Sequence, residues 1–492
     1  MPKPLAAHYL RGSKAGMEED VSSTFNSFKS PKTENNSDCR LRRARVKRRG
    51  AGLLSIALFA AALLPSPAYA AENDAVRVWN ERAAVTLANG NTAATPGLMF
   101  PPPVAFIHMA IVQAAVYDAV NAIKGGHYPY LKGLKAATSA SQGAAASTAA
   151  HHVLIGLIDQ APLTATLTAQ VKADIKSRLD SEYASSLAEI PAGQAKNKGI
   201  EVGAAAAAAM LANRQGDGRF GAPGFPVGSA PGEWRPLSAA PTANDPNGWV
   251  RYVRPFALPS SHYFHTPGPP LPLSGAQYAT EFNEVKALGR ATDSTRTEAQ
   301  TALANWTTRH PVLMMYEGMR QVSVSKGLTI TEQARFHAMT SVAGADSLIN
   351  CWAEKAHWGF WRPTTAIQLA ADDGNPDTEA DGAWAALLPV PPYPDEPSGA
   401  NCVFSGVMNA AKAFFGSDQA EFDLTGTGSV RHYSSFTAVI PDVIEARIYG
   451  GLHFRTADVN GAELGRRVSE YVDSNFFNCG PPGQCRQEKK RR

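Results

Sequence analysis

Apolar residues recur along most of this chain at the three- and four-residue spacing of helices that face a core, and runs alternating apolar with polar positions are almost absent. The pattern predicts helices at about residues 76–90, 102–123, 137–158, 163–187 and 193–213. It resumes at about 275–290, 296–308, 312–326 and 330–358, and then near 400–415, 441–452 and 457–475. Val104 to Val120 is apolar nearly all round, which marks a helix buried on every side. Ala204 to Ala209 favour helix because alanine has no side-chain entropy to lose. No repeat of fixed period is visible. The expected fold class is all-α, and two packed helical bundles fit the number of helices.

Between Gln215 and Pro272 the periodicity stops and Gly, Pro and aromatics take over. The stretch is too long for a plain helix connection, and Trp234, Trp249, Tyr252, Phe256, Tyr263 and Phe264 make it too aromatic for a flexible linker. It is expected to be an ordered wrap over the helices. A second loop is expected through Pro389 to Pro397. The organisation that follows is an export segment at 1–71, an N-terminal helical region with the wrap at 72–272, a C-terminal helical region at 273–475, and a basic tail with a Cys pair at 476–492.

The chain's 492 residues, 44% of them hydrophobic, are enough for one large or two ordinary domains with a sizeable core. The formal charge of +4 is misleading, because residues 1–71 hold 12 Lys/Arg against 5 Asp/Glu, leaving 35 against 38 in the remainder. Nucleic-acid binding therefore has no electrostatic support there. The basic run Arg40 to Arg49, the apolar stretch Ala51 to Leu64 and Ala68-Tyr69-Ala70 read as a leader with a small-x-small cleavage site. Paired Arg48 and Arg49 are compatible with a twin-arginine route as well as general secretion. The apolar run is short of the roughly 20 residues that span a bilayer, and no integral membrane segment is expected after it. The expectation is a periplasmic or secreted protein. Cleavage would remove Cys39 and leave Cys351, Cys402, Cys479 and Cys485, an even number for an oxidising compartment. Cys479 with Cys485, around Gly480-Pro481-Pro482-Gly483, is the favoured bridge.

Three clusters in the last third carry the candidate chemistry. Lys355 and Arg362 are seven apart, about two helical turns, so they converge on one anion only if the helix ends between them, which Gly359 and Pro363 permit. Alone they read as solvated charges, but Trp352, Trp358, Phe360 and Trp361 give them an apolar setting in which a charge needs a partner. Pro397-Ser398-Gly399 before an apolar helix reads first as an N-cap, and equally as an anion site built from a hydroxyl, backbone N–H groups and the helix dipole. Arg447 and His453 would lie about 120° apart on an unbroken helix, and Gly450-Gly451 can bend the chain between them. His108, His151, His152, His337 and His432 read as ordinary core or surface residues.

Taken together, Lys355-x6-Arg362-Pro363, Pro397-Ser398-Gly399 and Arg447-x5-His453 resemble the three-part signature shared by vanadium-dependent haloperoxidases and type 2 phosphatidic acid phosphatases. Gly232 to Pro236, Val253 to Leu258 and Tyr278 to Gly289 also look like soluble bacterial relatives of vanadium chloroperoxidase. The resemblance implies two packed helical bundles of that type, with vanadate as cofactor and phosphate as a competing oxyanion. It implies that Lys355, Arg362, Arg447, Ser398 and the Gly399 N–H hold the anion's oxygens, and that His453 is the metal ligand. Hydrogen peroxide, a halide and a small organic acceptor would be the partners, and peroxide-dependent halide oxidation the activity, with Lys355 and His453 catalytic. An acid phosphatase and a non-catalytic vanadate- or phosphate-binding protein are the alternatives. Ala400 stands where the family has an acid/base His, which implies reduced activity or a substitute among His357, His432 and Asn401. Ala446 replaces the usual Ser before Arg447, and Asp458, five beyond His453, joins His357 as an expected neighbour behind the site.

Overall fold

The computed structural model describes residues 67–89, 96–238, 240 and 243–480. The leader-like segment before Pro67 lies outside the described residues, and so do Cys39, Cys485 and the basic tail beyond Gly480. The proposed Cys479–Cys485 bridge falls outside them too. The helices are α1 (Pro67–Ala88), α2 (Pro102–Lys124), α3 (Gln142–Gln160), α4 (Ala169–Ala188), α5 (Gln194–Asn213), α6 (Ala276–Leu288) and α7 (Glu298–Trp306). They continue with α8 (Pro311–Ser325), α9 (Ile330–Trp358), α10 (Pro363–Gln368), α11 (Gly399–Phe415), α12 (Val439–Tyr449) and α13 (Arg455–Asn475). The architecture is helical, as the periodicity predicts, with α2 packed among α1, α3, α5 and α9, and α11 between α9 and α13.

The all-α expectation holds with one small addition, and one expectation needs correction. A two-stranded antiparallel hairpin, β1 (Gln419–Thr425) with β2 (Val430–Ser435), interrupts the helices. Its alternation is short but present, since Ala420, Phe422 and Leu424 point inward while their neighbours face out. And α2, at 23 residues, is long and apolar enough to cross a membrane, contrary to the expectation that no segment after the leader would be. Its apolar window is wholly buried by neighbouring helices, which is why it is apolar on all sides.

The 29-residue helix α9 organises the rest. A capping box starts it, with the Thr329 side chain accepting from the Glu332 N–H and the Glu332 side chain accepting from the Thr329 N–H. Asp346, Asn350 and Glu354, at four-residue intervals, form a polar ladder on one of its faces. Fully buried Asp346 accepts the N–H groups of Phe256 and Ala257 at 2.7 Å and of Leu258 at 2.9 Å. Asn350 exchanges hydrogen bonds with the Phe264 backbone, and Glu354 accepts the Thr266 N–H at 2.9 Å. The expected wrap is therefore ordered by carboxylates and an amide that take up its backbone donors. Trp234, Trp249 and Phe256 are buried beneath it, while Tyr252 and Tyr263 remain exposed.

The opposite duty of α9 is close contact with α11. A Cβ added to Gly406 would sit 2.3 Å from Ser347 Oγ, and one added to Gly344 would sit 2.9 Å from Val407 Cγ2. Glycine at these points lets the two helices approach more closely than side chains permit.

Asp346→Ala would leave three buried backbone donors without an acceptor and is expected to cost about 3 kcal/mol or more. Denaturant unfolding checks the loss. Limited proteolysis should place the first new cuts between residues 215 and 272, and an unchanged cleavage pattern would show that the wrap is held by other means.

Candidate functional site

The site forms where α9, the following loop, α11 and the end of α12 meet. Gly359 ends α9 in the left-handed conformation, φ 54°, and its N–H bonds the Lys355 carbonyl. Because the helix stops there, Lys355 and Arg362 are no longer two turns apart on one axis. The loop is fixed from outside: the Trp234 N–H donates to the Gly359 carbonyl at 2.7 Å and the Trp361 N–H to the Gly232 carbonyl at 2.9 Å. Phe360 and Trp361 anchor it in a small core with Tyr278, Phe282, Trp384 and Phe454. Arg362 then occupies the N-cap position of α10, with Pro363 beginning the helix.

Lys355 and Arg362 are almost fully buried. Lys355 Nζ donates to the Pro394 carbonyl at 2.7 Å and the Asp395 carbonyl at 2.9 Å. Arg362 donates from Nε to the Tyr393 carbonyl and from Nη1 to the Leu452 carbonyl, both at 2.7 Å. Tyr393 offers its ring to both cations, 5.0 Å from Lys355 Nζ and 4.9 Å from the Arg362 guanidinium carbon. The expected loop at 389–397 thus wraps its carbonyls and an aromatic face around buried positive charge.

Ser398 is the N-cap of α11, but its hydroxyl makes no capping bond. Gly399 follows with its backbone against Trp352, where an added Cβ would meet the ring at 2.9 Å. Arg447 lies in the last turn of α12, half-buried, with its Nε shielded and without a hydrogen bond. Gly451, φ 76°, turns the chain, and the Leu452 N–H returns to the Arg447 carbonyl at 3.0 Å. His453 then reaches the same centre, 3.5 Å from Arg362 Nη1 through Nε2. Its Nδ1 lies 2.7 Å from Asp395 Oδ1.

Lys355, Arg362, Ser398, Gly399, Arg447 and His453 are brought together as the sequence clusters require. Asp458, also buried, stands beside Ser398 and accepts from Asn401 Nδ2 at 2.7 Å. It therefore faces the α11 N-terminus, and Asp395 is the carboxyl beside the imidazole. His357 does not join the site: it is exposed and its ring packs on Trp358 and His265. His432 is on the hairpin surface, between Glu421 and Asp423 at 2.8 Å each. Asp395 and Tyr393 were missed, because residues in a proline-rich loop have no periodicity to expose their direction. Their only signal is an acid and an aromatic among prolines just before Ser398.

Burial dominates the electrostatics. It pushes Asp395 and Asp458 up to about 8, despite the opposing charges of Arg362 and Arg447 respectively, and Glu396 up to about 8 as well. It lowers Lys355 to about 8. The His453 imidazole is held well below its ordinary range by burial first, then by Arg362, Lys355 and Arg447. The imidazole is therefore neutral, its Nε2 facing Arg362 Nη1, while Arg362 Nη2 and Arg447 Nε are cationic donors without acceptors. A buried group with these needs fits an oxyanion bonded at one apex by nitrogen. A cavity of about 180 Å³, bounded by Trp234, Arg235, Leu237, Val390 and Pro391, leads to Arg362.

The family described as the VCPO second helical-bundle domain matches residues 335–478, a stretch that contains every residue of this cradle. A vanadium chloroperoxidase from Curvularia inaequalis is 25% identical over 210 residues, 34% of this chain. That match spans about a third of the relative, 33% of its length. A solved bacterial vanadium-dependent iodoperoxidase superposes with a TM-score of 0.61 at 22% identity, covering 82% of this chain and 96% of that one. The holo form of a bacterial vanadium-dependent chloroperoxidase gives 0.60 at 17% identity, covering 80% and 96%. Residues 335–478 match a vanadium chloroperoxidase domain family, and the chain shares the fold of the vanadium haloperoxidases. In this helical fold one helix end, one helix start and one helix-to-helix turn meet at the cradle.

Below about pH 8 the site holds Lys355, Arg362 and Arg447 as cations with its carboxyls neutral; above it, two arginines face three carboxylates, Asp395, Glu396 and Asp458. Sulfate, whose charge is constant in this range, should therefore bind more weakly as pH rises through about 8. Calorimetric titration across that range tests it, and an affinity that is flat or rises would contradict the charge assignment.

Proposed function

We propose that this protein is a vanadate-dependent, peroxide-consuming halide oxidase of reduced or altered proton-transfer capacity, acting outside the cytoplasm. The observation that carries the reading is the pair of shielded, unpartnered guanidinium donors, Arg362 Nη2 and Arg447 Nε, beside a neutral His453. Vanadate fits that donor set: Lys355, Arg362, Arg447, the Ser398 hydroxyl and the Gly399 N–H would hold its oxygens, and His453 Nε2 would bind the metal. When bound, vanadate supplies a Lewis-acidic centre that activates hydrogen peroxide toward a halide. The protein's part is electrostatic. Fixed cations in a dry site stabilise negative charge without reorganising when it develops, and Lys355 is held in place by two carbonyls. The Tyr393 ring and the Trp352 ring keep water from the cations on the loop side. The cavity beside Arg362 would admit peroxide and a small organic acceptor. The leader-like segment supports the extracytoplasmic placement.

Ala400 brings no proton to the cradle, and general acid–base help is typically worth about 100-fold to 10,000-fold. That methyl group favours a second reading, an oxyanion-binding protein without turnover. The chain should be loaded with orthovanadate and assayed for peroxide-dependent bromination and iodination of a reporter, with hydrolysis of p-nitrophenyl phosphate measured in parallel. Vanadate-dependent halogenation is expected, lost in His453→Ala, and raised about 100-fold or more in Ala400→His. Tight vanadate binding with no turnover in either the parent or Ala400→His would leave only the binding reading. Hydrolysis without halogenation would assign a phosphatase.

A further inference from the structure

Cys351 and Cys402 are used by none of this chemistry, yet both are fully buried at the cradle. Cys351 is one turn before Lys355 on α9, and Cys402 one turn after Ser398 on α11. The close contacts fix how these helices face each other. Gly344 meets Val407, Ser347 meets Gly406, and Trp352 and Lys355 meet Gly399. As residue numbers rise along α9 they fall along α11, so the helices are antiparallel here and Cys351 lies opposite Cys402. The two thiols are within hydrogen-bond reach of each other, and Cys351 Sγ is 3.5 Å from the Pro397 carbonyl oxygen. Two glycines flank the pair on the same seam and draw the axes together, as a bridge needing Cα atoms about 4.4–6.8 Å apart requires.

We propose that Cys351 and Cys402 are an oxidation site, at which hydrogen peroxide closes a disulfide that staples α9 to α11 directly behind Lys355 and Ser398. One sulfur attacks a peroxide oxygen and the O–O bond breaks, giving a sulfenic acid and water. The second sulfur then attacks the sulfenic sulfur, and the S–O bond breaks to release a second water. Two thiols lose two electrons and two protons in all, and one peroxide is reduced to two waters. The Lys355 ammonium interacts electrostatically with both sulfurs. Burial in apolar surroundings keeps the pair from bulky reagents, while peroxide is close to water in size. The bridge needs neither vanadate nor halide, so it stands apart from the function proposed above. It also accounts for the two cysteines that a Cys479–Cys485 pairing would leave over.

The test uses the reduced full-length chain treated with hydrogen peroxide alone, then denatured, alkylated with iodoacetamide and mapped by mass spectrometry without reduction. The expected product is the Cys351 and Cys402 peptides linked, two hydrogens lighter than their sum, and separated by dithiothreitol. In Cys402→Ser the linked species should vanish and dimedone should trap a sulfenic acid at Cys351. Recovery of both cysteines singly alkylated after peroxide would overturn the proposal. So would linkage of either to Cys479 or Cys485, or a Cys402→Ser variant that folds and gives no dimedone adduct.

Discussion

The structure around the site depends on positive charge that has been taken out of water. Lys355 and Arg362 are buried among Trp352, Trp361 and Tyr393, and Arg447 is partly so. Burying one unpaired ion costs several kcal/mol even after relaxation. Backbone carbonyls at 393, 394, 395 and 452 meet part of that cost, and the nearby carboxyls are themselves desolvated enough to resist ionising. What is left over is a demand for an anion at a defined point. The neutral His453, Ser398 and the α11 N-terminus lie beside that charge, so the demand has a shape as well as a sign.

Much of the fold can be understood as the scaffold that keeps this charge in position. The polar ladder Asp346, Asn350 and Glu354 ties the long wrap to α9, and the wrap in turn grips the loop bearing Arg362 through Gly232 and Trp234. On another face of the same helix, Gly344, Ser347, Cys351 and Lys355 form the seam with α11. Glycines on α13 continue that close packing against α11: an added Cβ on Gly461 would strike the Ser398 carbonyl oxygen at 2.5 Å, and one on Gly465 the Cys402 carbonyl oxygen at 2.2 Å. The cradle is therefore built where helices are too close for flexibility.

The helices were legible in the sequence because burial on one side repeats every three or four residues. Agreement is closest for α9, expected at 330–358 and found at Ile330–Trp358. The three basic clusters were legible for a different reason, since glycine and proline beside each marked where a helix would stop and let side chains converge. Asp395 and Tyr393 were not, because a loop's side-chain directions follow from tertiary contacts alone. The separation of Asp458 from the imidazole, and the exclusion of His357 and His432, were equally beyond spacing arguments: each turns on which side of a helix end the chain leaves. The hairpin was hidden because its alternation is confined to a few residues between strong helical signals. The opposition of Cys351 and Cys402 could be seen only once the antiparallel seam of α9 and α11 was known.

The central claim is that an oxyanion completes this buried charge, and stability measures it most directly. Denaturant unfolding with and without orthovanadate should show added stability of about 2.7 kcal/mol at a hundredfold excess over the dissociation constant. Arg362→Ala, which removes a cationic donor, should lose most of that increment while keeping the helical signal. An unfolding midpoint that does not move with orthovanadate, in a chain whose parent fold is intact, would contradict the account.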